Sequence, residues 1–199
     1  MGSHPSRRPT PHLNAIMKGG DTLQWPGAKL RMAGIDYYVT IAGPGERTEI
    51  FLQGCLRDCP GCFNPETHAL DGGRMMPVRY LVKDIMSNTP QRKLTVSGGE
   101  PLLQSETLVK LLKPLARNGF HILMYTGADF NELLRFIFSN VPIPKYLDIG
   151  QNPVKYRRAL TKLLTLCQTI VAGPYDKTQS LPINEDNFVG SSNQVVINN

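Results

Sequence analysis

The sequence predicts an α/β fold: an open, partial (β/α) barrel with a mainly parallel sheet and outer helices. Two observations carry this. From residue 93 onward, strand-like and helix-like segments alternate, the pattern that builds parallel sheets covered by helices. The chain has 199 residues, enough for one sizeable core but too few for eight βα units.

The elements follow in order. Ile35–Ala42 is β-branched and aromatic, and Glu49–Gln53 is a second short apolar run; both read as strands. Gly43-Pro44-Gly45 between them is a turn, without the third glycine and following helix of a dinucleotide fingerprint. Val78–Ser87 places Leu81, Val82, Ile85 and Met86 at helical spacing behind Pro77, which suits a first turn. Lys93–Ser97 reads as a strand ending at Gly98-Gly99. Ser105 is a candidate cap for a helix whose face is Leu108, Val109, Leu111, Leu112 and Leu115, with Pro114 as a kink and Gly119 as a stop. Phe120–Tyr125 is a strand, Asp129–Phe138 a helix, Leu166–Val171 a strand and Gln194–Ile197 a terminal strand. Ligands of such sheets bind beyond the carboxyl ends of the strands, where Gly98-Gly99-Glu100 and Thr126-Gly127 fall.

Composition narrows the class further. Of the net charge of +6, residues 1–31 hold +4, with Arg7, Arg8, Lys18, Lys29 and Arg31 against Asp21. This head reads as a basic extension without packed structure, ahead of a single domain over 32–199. Its first four residues have the look of an appended remnant. No aromatic interleaving accompanies the charge, so it argues for a solvated segment and against nucleic-acid binding. No apolar run approaches a membrane span and no signal-peptide pattern opens the chain, so the expected location is the cytoplasm.

The chemistry sits in Cys55-Leu-Arg-Asp-Cys59-Pro-Gly-Cys62. Three thiols within eight residues are too close for a loop-stapling disulfide framework and read as metal ligands. They suffice to hold three corners of an iron–sulfur cube, leaving the fourth iron without a protein ligand and open to chemistry. Pro60 stiffens the loop and Gly61 turns it; Arg57 and Asp58 read as solvated charges. A zinc site is the alternative, with His68 completing a Cys3His set. Cys167, in the apolar, strand-like stretch Leu163–Val171, reads as a small buried hydrophobe. At the end of its strand, Gly98-Gly99 leaves backbone uncovered for close approach of a ligand, and Glu100 offers a carboxylate to a cationic group.

The spacing C-x3-C-x2-C, followed by Gly98-Gly99-Glu100-Pro101, resembles the radical S-adenosylmethionine (SAM) superfamily. More narrowly, the chain looks like the anaerobic ribonucleoside-triphosphate reductase-activating proteins. The resemblance runs over Gly43-Pro44-Gly45, Ile50–Cys55, Cys59-Pro-Gly-Cys62-Phe63-Asn64, Tyr125-Thr126-Gly127, Val171-Ala-Gly173-Pro174-Tyr175 and Gly190-Ser191-Ser192-Asn193-Gln194. It departs from the wider pattern in placing Gly61 where many members have an aromatic residue, and in Gly-Gly-Glu-Pro where these activases often have Gly-Gly-Asp-Pro.

This resemblance implies a fold of the radical SAM type and a [4Fe-4S] cluster on Cys55, Cys59 and Cys62. It implies SAM bordered at its adenine by the backbone of Gly61, Cys62 and Phe63, and at its methionine end by Gly98, Gly99 and Glu100. Ser191-Ser192-Asn193 would lie near the open face, or form a polar turn before the last strand. Reductive cleavage of SAM would yield a 5′-deoxyadenosyl radical that takes a hydrogen from a glycine of a partner enzyme. That partner is the anaerobic ribonucleotide reductase or a similar glycyl-radical enzyme, with a reductant such as flavodoxin or ferredoxin. The alternatives are a small radical SAM enzyme acting on a peptide, on another glycyl-radical enzyme, or on a pterin as in 7-carboxy-7-deazaguanine synthesis. Outside enzymes, they are an iron–sulfur electron carrier or a zinc-binding interaction module.

Overall fold

The computed structural model describes residues 27–199. A seven-stranded sheet runs in the order β3-β1-β2-β4-β5-β6-β7, from β1 (Lys29–Val39), β2 (Arg47–Leu52), β3 (Arg74–Pro77), β4 (Lys93–Gly98), β5 (His121–Thr126), β6 (Thr169–Ala172) and β7 (Val195–Asn198). The central four strands are parallel, β2 to β4 to β5 to β6. Antiparallel β1, β3 and β7 extend the two edges and the sheet stays open. Four helices accompany it: α1 (Val78–Asn88), α2 (Ser105–Arg117), α3 (Phe130–Phe138) and α4 (Pro153–Leu166).

Successive side chains of a strand point to opposite faces, and here the two faces have separate tasks. Ile50, Leu52, Leu94, Val96, Ile122, Met124, Ile170 and Ala172 join the buried cluster formed with Leu81, Ile85, Leu108, Leu111, Leu112, Leu115, Leu160 and Leu163 of the helices. The alternate positions Glu49, Phe51, Ser97 and Tyr125 line a cleft on the other face. Thr48 is a polar exception on the helix side, its hydroxyl 2.7 Å from that of Thr89 at the end of α1.

Several elements differ from the sequence reading. β1 begins at Lys29 with Leu30 fully buried, so residues 29–31, assigned above to the basic extension, belong to the domain; residues 1–26 of that extension lie outside the described residues. β1 also stops at Val39, with register shifts between Met32 and Gly34 and between Asp36 and Val39, and residues 40–46 form a bend instead of strand. β3 and α4 were not foreseen. Pro77 ends β3 and stands before α1, not in its first turn. Ser105 does not cap α2: it is its buried first residue, and the cap belongs to the preceding 3-10 turn Pro101–Gln104, where Glu100 accepts from the Leu102 amide. Pro114 lies within α2, which continues to Arg117, and Gly119 follows its end with φ +76°. Leu163–Leu166 is the last turn of α4, not strand, and Cys167 ends that helix, fully buried as expected.

One buried cation ties the opening turn to the sheet. Arg47, 1% exposed, donates from Nε to Thr95 Oγ1 at 2.7 Å and from Nη2 to the Leu94 and His121 carbonyls at 2.8 and 3.2 Å. Its Nη1 reaches the Pro44 carbonyl at 3.4 Å. Removing such a group strands several buried acceptors at once. Arg47→Ala is expected to lower stability by about 3–5 kcal/mol in urea unfolding, and Arg47→Met, which keeps the packing of the stem, by less.

Candidate functional site

Three segments converge on one cleft of about 710 Å³. The cysteine loop contributes Cys55, Arg57, Cys59, Cys62, Phe63 and Asn64; the carboxyl end of β4 contributes Ser97 to Glu100; the end of β5 contributes Tyr125 to Gly127. This is the end of a parallel sheet at which ligands bind.

The cysteine loop is held by backbone pairing on both sides. Gly54 and Cys55 donate their amides to the Thr67 and His68 carbonyls at 2.8 and 3.0 Å. Opposite, Gly99 donates to the Leu52 carbonyl at 2.8 Å and Glu100 to the Gly54 carbonyl at 2.7 Å. Buried Gln53 secures the far limb through its Nε2, which reaches the Ala69 carbonyl at 2.8 Å. Within the loop, the Cys62 amide closes a turn on the Cys59 carbonyl and the Asn64 amide donates to Cys62 Sγ at 3.4 Å. Gly61 carries φ +74° at the turn, as its glycine required, and Asp58 takes φ +49°.

This pairing gives Gly98-Gly99 a structural task. A Cβ at Gly98 would stand 2.5 Å from the Leu52 backbone, and one at Gly99 2.3 Å from the Gly54 carbonyl oxygen. The close approach that these glycines permit is by the root of the cysteine loop. Both still border the cleft.

Glu100 is likewise an internal anchor. It is 2% exposed; Oε1 accepts from Leu102 N at 3.1 Å and Thr126 Oγ1 at 2.7 Å, and Oε2 accepts from Gly127 N at 2.9 Å. Burial pushes its pKa up, while the hydrogen bonds from Thr126, Leu102 and Gly127 and the charge of Arg57 oppose the shift. A carboxylate offers about four acceptor positions, so Oε2 retains one.

Arg57 is not a solvated charge. Its guanidinium lies 3.7 Å over the Tyr146 ring, its stem packs beside Gly127, and its Nε is buried without a partner among the described residues. Tyr146 is itself fixed by donating to Glu132 Oε2 at 2.7 Å. Phe63 is 54% exposed and packs on Tyr175 with centroids 4.7 Å apart. Gly61 faces Lys177 and is not part of the cleft lining. Ser191, Ser192 and Asn193 form the polar turn: Ser191 Oγ accepts from Asp176 N, the Ser192 amide donates to Gln179 O, and Asn193 Nδ2 donates to Pro174 O. From that motif the cleft takes Gly190 and Gln194 instead.

The donor set suits a multi-iron cluster. Burial raises the Cys55 and Cys62 thiols above their ordinary pKa, so a cation is needed to hold them as thiolates at neutral pH. Among the described residues no three His, Cys, Asp or Glu groups converge for a single ion. One thiolate per iron asks only that three cysteines border a common space, and all three line the cleft. His68, the fourth ligand a zinc site would need, also lines the cleft; its Nδ1 pairs with Asp58 Oδ1 at 3.1 Å, which leaves Nε2 available, so the family match and not this histidine separates the two readings.

Residues 41–197 match the model of the 4Fe-4S single cluster domain. The chain belongs to this family. A [4Fe-4S] cluster is therefore its cofactor, and the matched span contains the three clustered cysteines. Among curated proteins, the pyruvate formate-lyase-activating enzyme of Staphylococcus aureus is 41% identical over 124 residues, 59% of this chain and 49% of that protein. That of Clostridium pasteurianum is 33% identical over 114 residues, 53% of this chain and 48% of that protein. The chain thus spans about half the length of the curated relatives it matches. Among solved structures, QueE from Escherichia coli aligns at TM-score 0.42 with 17% identity, over 72% of this chain and 70% of that one. No helix among the described residues is long and apolar enough to cross a membrane.

Sequence reasoning missed Glu49, Ser97 and Arg57. The alternation of Arg47, Glu49 and Phe51 with Thr48, Ile50 and Leu52 was the available signal: polar groups on one face of a central strand imply a wet cavity over that face.

The overlap at Gly99 makes a direct expectation. Gly99→Ala should destabilise the protein by about 1–3 kcal/mol and cut the iron taken up on anaerobic reconstitution by more than half. Gly34→Ala, whose new Cβ would sit 3.8 Å from Phe51, should change neither by much.

Proposed function

We propose that this chain is a radical SAM activating enzyme that generates a glycyl radical on a partner protein. The single observation that carries the reading is the convergence of Cys55, Cys59 and Cys62 with the Gly98-Gly99-Glu100 strand end on one cleft. In this reading the three thiolates hold the cluster and leave one iron open. Glu100, through its remaining Oε2 position, receives the ammonium of the methionine end. Arg57, with an unspent buried donor beside Glu100, receives the carboxylate of the same end. The backbone of Cys62 and Phe63 borders the adenine, with the Phe63–Tyr175 pair as an apolar wall; Gly61 serves the turn. Bound cluster and SAM supply the electron and the hydrogen-abstracting group; the chain's task is orientation and exclusion of water and oxygen.

The partner put first is the anaerobic ribonucleoside-triphosphate reductase, on the resemblance that includes Gly190–Gln194. Pyruvate formate-lyase is the second reading, favoured by the names of the relatives that match up to 59% of the chain. A low-potential flavodoxin or ferredoxin would supply the electron in the cytoplasm.

Anaerobic reconstitution should give about four irons per chain. Cys55→Ala, Cys59→Ala and Cys62→Ala should each abolish this, and Cys167→Ala should not. Reduced enzyme with SAM and each candidate partner should produce a glycine-centred signal in electron paramagnetic resonance on one of them. Stoichiometric zinc without charge-transfer absorbance, or loaded protein that does not bind SAM, contradicts the reading.

A further inference from the structure

The cleft has a second polar group that the cluster and SAM leave unused. Glu49 of β2 points from the face opposite the helices into the cleft, half-buried, and its Oε1 accepts from Ser97 Oγ of β4 at 2.6 Å. Among the described residues Ser97 is its one hydrogen-bond partner, so Oε2 remains for a ligand. Glu49 pairs in register with Thr95, short of the strand end where Gly98-Gly99-Glu100 meets the cysteine loop. It therefore lies further from the cysteine loop along the ladder than the glycine pair does. The same cleft is lined by the apolar Val39, Ile41, Ala42 and Phe51.

We propose that protonated Glu49, steadied by Ser97, donates a hydrogen bond to a backbone carbonyl of the partner segment that carries the reacting glycine. The inference rests on the reading that the substrate is a protein glycine. Such a residue has no side chain, so the cleft must recognise it through its peptide groups. When the segment enters and water leaves, a neutral acid costs far less to enclose than a carboxylate, and its O–H suits a carbonyl acceptor.

The surroundings favour that protonation state. Burial pushes the Glu49 pKa up to about 7; the Ser97 hydrogen bond lowers it, Asp36 on β1 raises it and Arg47 on β2 lowers it. Tyr125 on β5 also faces the group, its own hydroxyl pushed upward by burial and by the Glu49 charge and donating to the Phe188 carbonyl at 2.7 Å. The raised pKa sets the sign: the donor is present below about pH 7 and is lost as pH rises through it.

The test is binding of acetyl-Ala-Ala-Gly-Ala-Ala-amide to the full, cluster-loaded chain under anaerobic calorimetry. Wild-type affinity should fall about tenfold from pH 6 to pH 8, following the protonated fraction of a group titrating near 7. Glu49→Gln, which carries an N–H donor at every pH, should bind with no pH dependence. Glu49→Leu should be about tenfold weaker than wild type at pH 6. A wild-type affinity indifferent to pH, a Glu49→Leu variant that binds like wild type, or no binding at millimolar peptide overturns the proposal. SAM binding by the wild-type chain, measured separately, keeps the two readings apart. Its absence defeats the activase reading, whereas peptide binding reports on Glu49 alone.

Discussion

Two hydrogen bonds organise this protein: Gly99 N to Leu52 O and Glu100 N to Gly54 O. They extend the β2–β4 pairing past the end of the strands, so the parallel ladder runs directly into the root of the cysteine loop. No side chain fits between the two backbones, because a Cβ at either Gly98 or Gly99 would overlap the chain from Leu52 to Gly54. Cys55 consequently departs from a point set by the core, not from a free loop. The same stretch orients Glu100, which fastens the end of β4 to that of β5 through Thr126 and Gly127. A reactive cofactor needs ligands held to fractions of an ångström, and this pairing fixes the point from which Cys55 departs.

The division of the sheet into two faces is the second condition. The helix side is apolar and closed, whereas the other side keeps Glu49, Ser97 and Tyr125 under a cleft roofed by residues such as Ile183, Phe188 and Gly190. Buried Arg47 at the far end of β2 holds the Pro44 turn against this inner face. The cleft thus has the cysteine loop and Glu100 at the strand ends and Glu49 further back along β2.

How much of this the sequence disclosed depends on what each signal reports. The clustered cysteines were legible because their spacing alone limits what they can ligate. Gly98-Gly99 was legible as a close approach but not as to what approaches, since glycine records a steric need and not its partner. Arg57 read as a solvated charge because Tyr146, on which it stacks, lies far along the chain. α4 went unread although its signals are local: the Asn152 side chain accepts from the Val154 and Lys155 amides, and Tyr156, Ala159, Leu160 and Leu163 form its buried stripe. The strand-like composition beyond Leu163 masked that helix's end. β3 is a four-residue edge closing on Pro77, and its pairing with β1 is a long-range contact that local pattern does not contain.

The claim on which the rest stands is that the sheet places the cysteine loop without help from the cluster. Amide hydrogen exchange on the cluster-free chain tests it most directly. The Gly99 and Glu100 amides are predicted to be protected to nearly the extent of the Val96 amide in the middle of β4, before iron is added and equally after. If those two amides exchange at unprotected rates until the cluster is loaded, the metal shapes the loop and the sheet does not preorganise the site.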